Sequence, residues 1–398
     1  MNSLSDFLML DLTHMLSGPY GTMLLTDMGM RTIKVEPPRG GEGTRRLLET
    51  HESFSRSGMG AYFMTLNRSK MSVGIDLKSA EGREVFLDLV RQADVVFDNF
   101  SPGVTERLGI DYDSLSAVNP RIVTCSVTGF GLTGPGRDRP AFDMVAQGIG
   151  GGMSITGLPE AGPTRAGIPI GDLGGGVFAA IGTLAALHER NRTGRGTRVD
   201  ISMLDCQVSM LNYMATMYLM SGEQPGQVGN GHFVHVPYNT FPTRTRHIII
   251  AVIFDSFWPK VVDLLDIEAL RDPRYESQPQ RLADKARIEE LMSERLREKD
   301  AEHWLEELTS RRVPCAPVND FEHALGDAQV RAREMIVEVP LPNGASQLMP
   351  GNPIKIGNAR QTFSAPPELG AHTTMVMQDM LGLSGERIEE LRSRGVVA

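Results

Sequence analysis

Phe7-Leu-Met-Leu-Asp-Leu12, Gly21-Thr-Met-Leu-Leu-Thr-Asp-Met28 and Thr32-Ile-Lys-Val-Glu36 follow one another within a short span near the start of the chain. The outer two are short apolar runs of strand character, the second closed by Pro37-Pro38. The middle one reads as a helix ended by Gly29. Strand, helix, strand is the unit from which parallel sheets are built. The alternation continues. Met71-Ser-Val-Gly-Ile-Asp76 alternates like a strand, and Ser79 to Val90 carries a helical stripe at Val85, Leu87 and Leu89-Val90, with Ser79 placed to start it. Asp94-Val-Val-Phe-Asp98 and Arg121-Ile-Val-Thr-Cys-Ser-Val127 have the composition of buried strands. The expectation is an α/β fold with a doubly wound, Rossmann-like sheet.

Further along, residues 200–225 read as one Met-rich helix, and Gly226-Gln-Val-Gly-Asn-Gly231 marks a boundary. Tyr238 to Leu325 has its own strand, His247 to Ile253, and charged amphipathic helices such as Leu282 to Lys299. The C-terminal part returns to strand and turn signals and ends in a polar helix, Ser384 to Arg392. Three segments result: 1–225 as the large α/β domain, 226–330 as a smaller α+β domain, and 331–398 returning to the large domain.

Composition narrows the partners. The chain has 398 residues, 41% of them hydrophobic, enough for more than one core. A formal net charge of −9 speaks against nucleic acid. The three cysteines, Cys125, Cys206 and Cys315, are far apart and odd in number; they form neither a metal-ligand spacing nor a disulfide framework, which fits a cytoplasmic protein. There is no basic leader at the N-terminus and no uninterrupted apolar run of roughly 18 residues, so no membrane partner is expected.

The chemistry concentrates in Arg165-Ala-Gly-Ile-Pro-Ile-Gly-Asp172-Leu-Gly-Gly-Gly176, at the mouth of the apolar helix Val177 to His188. A carboxylate there has two readings. It is an N-cap aspartate with glycines for close packing, or a nucleophile, kept ionised by the helix dipole, with bare backbone beside it for a bulky substrate. Two other motifs carry less. Gly129-Phe-Gly131-Leu-Thr-Gly134 matches a dinucleotide fingerprint, but Pro135-Gly-Arg-Asp-Arg-Pro140 follows where a helix must open, so no nicotinamide or flavin site is expected. His232 and His235, three apart in a Gly/Pro loop with no third ligand nearby, do not make a zinc site.

Taken together, the motifs resemble the class III CoA-transferase family, of the formyl-CoA transferase and carnitine CoA-transferase type. The resemblance runs from Asp11-Leu-Thr-His-Met-Leu-Ser-Gly-Pro19 through Ile33-Lys-Val-Glu36, Leu66-Asn-Arg-Ser-Lys70, Asp98-Asn-Phe-Ser-Pro-Gly103, Gly194-Arg-Gly-Thr-Arg-Val-Asp200 and Val313-Pro-Cys-Ala-Pro317 to Gly370-Ala-His-Thr373. It implies that Asp172 is the nucleophile. The carboxylate would attack an acyl-CoA thioester to give an anhydride, the freed thiolate would return to make an aspartyl-CoA thioester, and an acceptor acid would take the CoA through a second anhydride. Glycine-rich backbone would supply N–H donors to the anionic intermediates. The coenzyme A thioester is then substrate, with no covalently bound cofactor, and the family's interlocked homodimer is implied too.

The same resemblance assigns His14, Met15, Leu16 and Ser17 to the thiol and pantetheine of CoA. It also assigns Ile75, Lys78, Asn99, Phe100, Ser101, Arg107, Arg139, Phe142 and Asp143 to CoA contacts. Arg107 suits the phosphates. Leu16 stands where members with formyl-CoA activity have glutamine. In style the chain looks closest to members acting on oxalate and small dicarboxylates with acetyl-CoA or succinyl-CoA. Arg165 would pair with the acceptor's distal carboxylate, and the loop with His232 and Tyr238 would face the acceptor. An α-methylacyl-CoA racemase is the main alternative, but it needs an acid/base where this chain has Phe142. A non-catalytic acyl-CoA binder is the other, and it has no need of Asp172.

Overall fold

The computed structural model describes residues 3–358 and 360–398, and counts and absences below refer to these. The chain divides into two compact units, Met1–Gly152 with Arg165–Gly222 and Arg331–Ala398, and Met153–Thr164 with Glu223–Val330.

The first unit is built on a parallel sheet. Its elements run β1 (Leu8–Asp11), α1 (Ser17–Asp27), β2 (Arg31–Glu36), α2 (Ala61–Asn67), β3 (Met71–Gly74), α3 (Ala80–Val90), β4 (Val95–Asp98), β5 (Val123–Thr128), α4 (Asp143–Ile149), α5 (Ile170–Thr193), β6 (Arg198–Ser202), α6 (Met203–Leu211) and α7 (Tyr213–Ser221). The six strands lie in the order β3-β2-β1-β4-β5-β6, all parallel. β1 sits in the middle, Leu10 opposite Ile33 on one side and Val96 on the other. The order reverses between β1 and β4, and the crevice beyond the carboxyl ends of such strands is where doubly wound sheets take ligands.

The local chemistry is legible. Ser79 Oγ accepts from Gly82 N–H at 3.0 Å and caps α3, whose Val85, Phe86, Leu89 and Val90 pack into the core with β1, β2 and β4. α1 begins at Ser17, earlier than the sequence reading, because Pro19 is tolerated within a first turn. Three further expectations are corrected. Arg198–Ser202 is the sixth strand, where the sequence reading already places the start of the Met-rich helix at about 200. The Met-rich stretch is two helices, broken at Asn212 with φ 48°. The apolar helix is longer than read, Ile170–Thr193. α5 is long and apolar enough to cross a membrane, the single such helix among the described residues, but it packs against α1 and β5.

Glycine explains that packing. A Cβ on Gly176 would lie 2.6 Å from Ser17 O, and one on Gly21 would lie 2.8 Å from Gly176 O. The two helices therefore meet backbone to backbone, which no larger residue permits.

The second unit holds a three-stranded antiparallel sheet, β7 (Tyr238–Pro242), β8 (His247–Ala251) and β9 (Cys315–Pro317), with β8 central. It packs on α8 (Trp258–Leu265), α9 (Lys285–Leu296) and α10 (Ala301–Ser310) around Phe241, Ile250, Val261, Ile288 and Trp304. The C-terminal segment adds the hairpin β10 (Ile336–Pro340) and β11 (Ser346–Pro350), then α11 (Thr373–Asp379) and α12 (Gly385–Ser393), whose Val376, Met377, Ile388 and Leu391 complete the core of the first unit.

Candidate active site

A cavity of about 250 Å³ lies at the crevice between β1 and β4. His14, Met15, Leu16 and Ser17 come from the β1–α1 turn, Asn99, Phe100 and Ser101 from the end of β4, Arg139 and Phe142 from the loop before α4, and Asp172 from α5. Residues spread over more than 150 positions of sequence thus share one wall.

Asp172 is the third residue of α5, inside its first turn, and so is not the N-cap. The capping role falls to Asp143, whose Oδ1 accepts from Gly171 N–H at 2.8 Å and from Asp172 N–H at 3.3 Å. Its other oxygen accepts from Gln147 Nε2 at 2.8 Å, and Gln147 Oε1 accepts from Ala166 N–H at 2.9 Å. With the cap supplied from elsewhere, the Asp172 carboxylate accepts no hydrogen bond from the protein among the described residues and opens on the cavity. The sequence expectation that the helix dipole keeps it readily ionised is corrected: burial, and then the charge of Asp143, push its pKa up to about 6.

The glycines beside Asp172 also change role. Gly174, Gly175 and Gly176 lie within α5, where their N–H groups belong to the helix's own ladder. They serve helix packing, and the oxyanion donors expected of them have to come from elsewhere in the cavity.

The floor of the site is a buried set of charges. Asp11 accepts from Thr13 N–H, Thr22 hydroxyl and Lys70 Nζ at 2.8, 3.0 and 2.8 Å. Burial alone would raise its carboxyl, but Lys34 and Lys70 hold it well below the usual range. Burial, and then Lys34, push His14 down to about 4, so the ring is neutral at pH 7, and it lies 5.5 Å from the Phe100 ring. Asp98, at the end of β4, accepts from Ser126 hydroxyl at 2.7 Å and Phe100 N–H at 3.1 Å, and burial pushes it up to about 6.

The remaining candidates fall outside the lining. Ile75 is buried and bridges to Val397, while Lys78 is exposed. Arg107 is exposed at the end of a short helix, Val104–Leu108. Asp143 acts through α5, as above. Arg165 is exposed, its guanidinium donating to Ala166 O at 3.2 Å. His232 and Tyr238 belong to the second unit, their rings 5.3 Å apart, and His232 Nδ1 accepts from Val234 and His235 N–H at 3.0 and 3.1 Å. No group of three or more His, Cys, Asp or Glu suited to a metal occurs among the described residues.

Tyr62 is the functional candidate that the sequence reading misses. It lines the cavity from α2, and burial, then Asp172, push its phenol up to about 12, so it stays a donor. Its sole sequence signal is a tyrosine at the start of a helix.

The model of CoA-transferase family III matches residues 4–373. An acetyl-CoA:oxalate CoA-transferase of Acetobacter aceti is 37% identical over 90% of this chain and 90% of its own. A succinyl-CoA:mesaconate CoA-transferase of Haloarcula marismortui is 36% identical over 95% and 96%. Among solved structures, a CaiB/BaiF family protein from Brucella suis superposes with a TM-score of 0.84 at 35% identity, over 95% of this chain and 99% of that one.

Proposed function

This chain belongs to CoA-transferase family III, and on that footing we propose that it moves CoA from succinyl-CoA or acetyl-CoA to a small dicarboxylate, with Asp172 as nucleophile. The observation that carries this reading is the half-buried Asp172 carboxylate, free of protein donors, facing a cavity walled by the β1–α1 turn. The donor and acceptor classes follow the relatives, which act on oxalate and mesaconate.

In this reading the Asp172 oxygen attacks the thioester carbon and the C–S bond breaks, giving an acyl-aspartyl anhydride and CoA thiolate. The thiolate attacks the aspartyl carbonyl of the anhydride, releasing the donor acid and leaving aspartyl-CoA. The acceptor carboxylate attacks that thioester, forming a second anhydride, and the thiolate then takes the acceptor's acyl group and restores Asp172. Each step trades one activated carboxyl for another. Burial serves it twice: a carboxylate stripped of water is the stronger nucleophile, and water kept from the anhydride cannot hydrolyse it.

Arg107 and Arg139, both exposed and free of ion pairs among the described residues, are assigned to the CoA phosphates. Arg165 is assigned to the acceptor's distal carboxylate. The reduced thiols fit a cytoplasmic enzyme. A homodimer is part of the reading: α7 has no buried residue although it is Met-rich, with Leu219 and Met220 more than 80% exposed, and an apolar face of that kind needs a partner.

The test is mass spectrometry of the purified protein with succinyl-CoA or acetyl-CoA and a panel of oxalate, mesaconate, glutarate and formate. A new acyl-CoA and a CoA adduct on the Asp172 peptide, both absent in Asp172→Ala, are expected. Formation of acyl-CoA by the alanine variant at the wild-type rate would remove Asp172 from the mechanism.

A further inference from the structure

The β1–α1 turn is held almost entirely by side chains from other segments. Lys34 Nζ donates to Thr13 O at 2.7 Å. Asn99 accepts from His14 N–H and donates to His14 O, each at 2.7 Å. Glu42 Oε2 accepts from Met15 N–H at 3.3 Å. Glu42 is 1% exposed and is itself fixed by Thr44, N–H at 3.1 Å and hydroxyl. Met15 consequently sits at φ 62°, a region that side chains with a Cβ avoid unless their surroundings impose it.

What this turn presents comes next. α1 has no side-chain cap at Leu16, and the N–H groups of Leu16, Ser17 and Gly18 have no acceptor among the described residues. Ser17 is 4% exposed, and its hydroxyl also lacks a partner. That oxygen lies 2.6 Å from where a Cβ on Gly175 would stand, one turn along α5 from Asp172 and on the same face. Leu16, Ser17 and Asp172 all line the one cavity. A buried hydroxyl and a set of idle amides at a helix N-terminus are suited to an oxygen that becomes anionic, and the α5 glycines cannot supply that function.

We propose that Glu42 is a positioning residue for the reaction at Asp172: by holding Met15 in the left-handed turn it aims the first amides of α1 and the Ser17 hydroxyl at the acyl oxygen. The inference rests on Asp172 being the nucleophile. Glu42 does not touch substrate; it fixes the donors that do. Met15 N–H and Thr44 N–H both donate to one oxygen of Glu42, Oε2, so glutamine can keep both bonds through its amide oxygen, whereas aspartate is too short to reach Met15 and alanine accepts from neither. In those last two variants the turn relaxes toward ordinary φ.

The experiment compares wild type, Glu42→Ala, Glu42→Asp and the conservative Glu42→Gln, each alone and combined with Met15→Gly, measuring kcat and KM for succinyl-CoA together with thermal melts. We expect kcat to fall about 10- to 100-fold in Glu42→Asp and Glu42→Ala, and less in Glu42→Gln, with KM changed by less than about threefold, because donors are misaimed while the CoA contacts persist. Measured against Met15→Gly alone, which carries any loss of the Met15 contact itself, the Glu42 substitutions should cost less than about threefold, since glycine takes φ 62° without help. Glu42→Asp keeps a carboxyl group but falls short of Met15, and it carries the same expectation if Glu42→Ala does not fold. Unchanged kcat in Glu42→Asp and Glu42→Ala, a Glu42 loss as large in the Met15→Gly background as without it, or a KM that rises in proportion would each overturn the assignment. Failure of the wild type to transfer CoA would instead count against the nucleophile, so the two readings fail separately.

Discussion

Asp172→Asn should make this protein more stable while abolishing its activity. Burial and Asp143 lift the Asp172 carboxyl from 3.8 to about 6. The folded state therefore holds the proton more tightly than the unfolded chain, and stability present below about pH 4 is lost as pH rises through about 6. At about 1.4 kcal/mol per pH unit the full cost of ionising the folded protein is about 3 kcal/mol; the carboxylate is only partly buried, and solvent screening reduces that to about 1–2 kcal/mol. Asparagine has the same shape and carries no charge, and no protein donor is lost because none binds the carboxylate. For a unit of this size about 2–4 °C in melting temperature is expected. The assay is a melt of both proteins at fixed concentration from pH 4.5 to 7.5. The gain should be small at the acid end, grow between about pH 4 and 6, and level off by pH 7. A gain independent of pH, or none at pH 7, would refute the reasoning, because either outcome means that ionising Asp172 costs the fold nothing.

Other outcomes follow from the same geometry. The pH profile of kcat/KM for acyl-CoA should fall on the acid side with an apparent pKa near 6, because protonation removes the nucleophile; a profile flat to pH 5 would exclude Asp172 in that role. Gly176→Ala should destabilise by about 2–3 kcal/mol or prevent folding, since the new Cβ meets backbone at Ser17 O that cannot yield, and this exceeds the roughly 1 kcal/mol an alanine contributes to a helix. Urea unfolding reads it. Leu219→Glu with Met220→Glu should shift the protein toward monomer in light scattering, with a dimer that persists unchanged locating the interface elsewhere. Arg165→Ala should reduce turnover of dicarboxylate acceptors about tenfold or more and leave monocarboxylates nearly untouched; an equal fall for both would sink its assignment.

How much of this could be read from residues alone depends on how local each cause is. β1, β2 and α3 were legible because apolar runs, Pro37-Pro38 and Ser79 act within a few positions. The strand Arg198–Ser202 was not, since its half-exposed, charge-bearing alternation at the sheet edge looks like loop. Asn212 was hidden too: a Met-rich helical pattern continues through it, and only a positive φ breaks the helix. The site divides the same way. Asp172 stood out in its glycine setting, but the reason it is free lies in Asp143, and nothing near Asp172 in sequence announces a cap brought from that distance. Tyr62 and Glu42 matter through tertiary placement, and a lone tyrosine or glutamate carries no motif.

The Asp143 and Gln147 contacts bear on how the Asp172 carboxylate keeps its place. Between Gly152 and Arg165 the chain leaves the first unit, gives Met153–Thr164 to the second, and returns. Gln147 fastens the returning segment at Ala166, and Asp143 fastens it again at Gly171 and Asp172. Both anchors precede the excursion in sequence and belong to the sheet-bearing unit. Tension or length change within 153–164 is thus taken up before it reaches α5, as a clamp on a cable shields the connector behind it. Insertions and deletions in that stretch are expected to leave the Asp172 carboxylate in place.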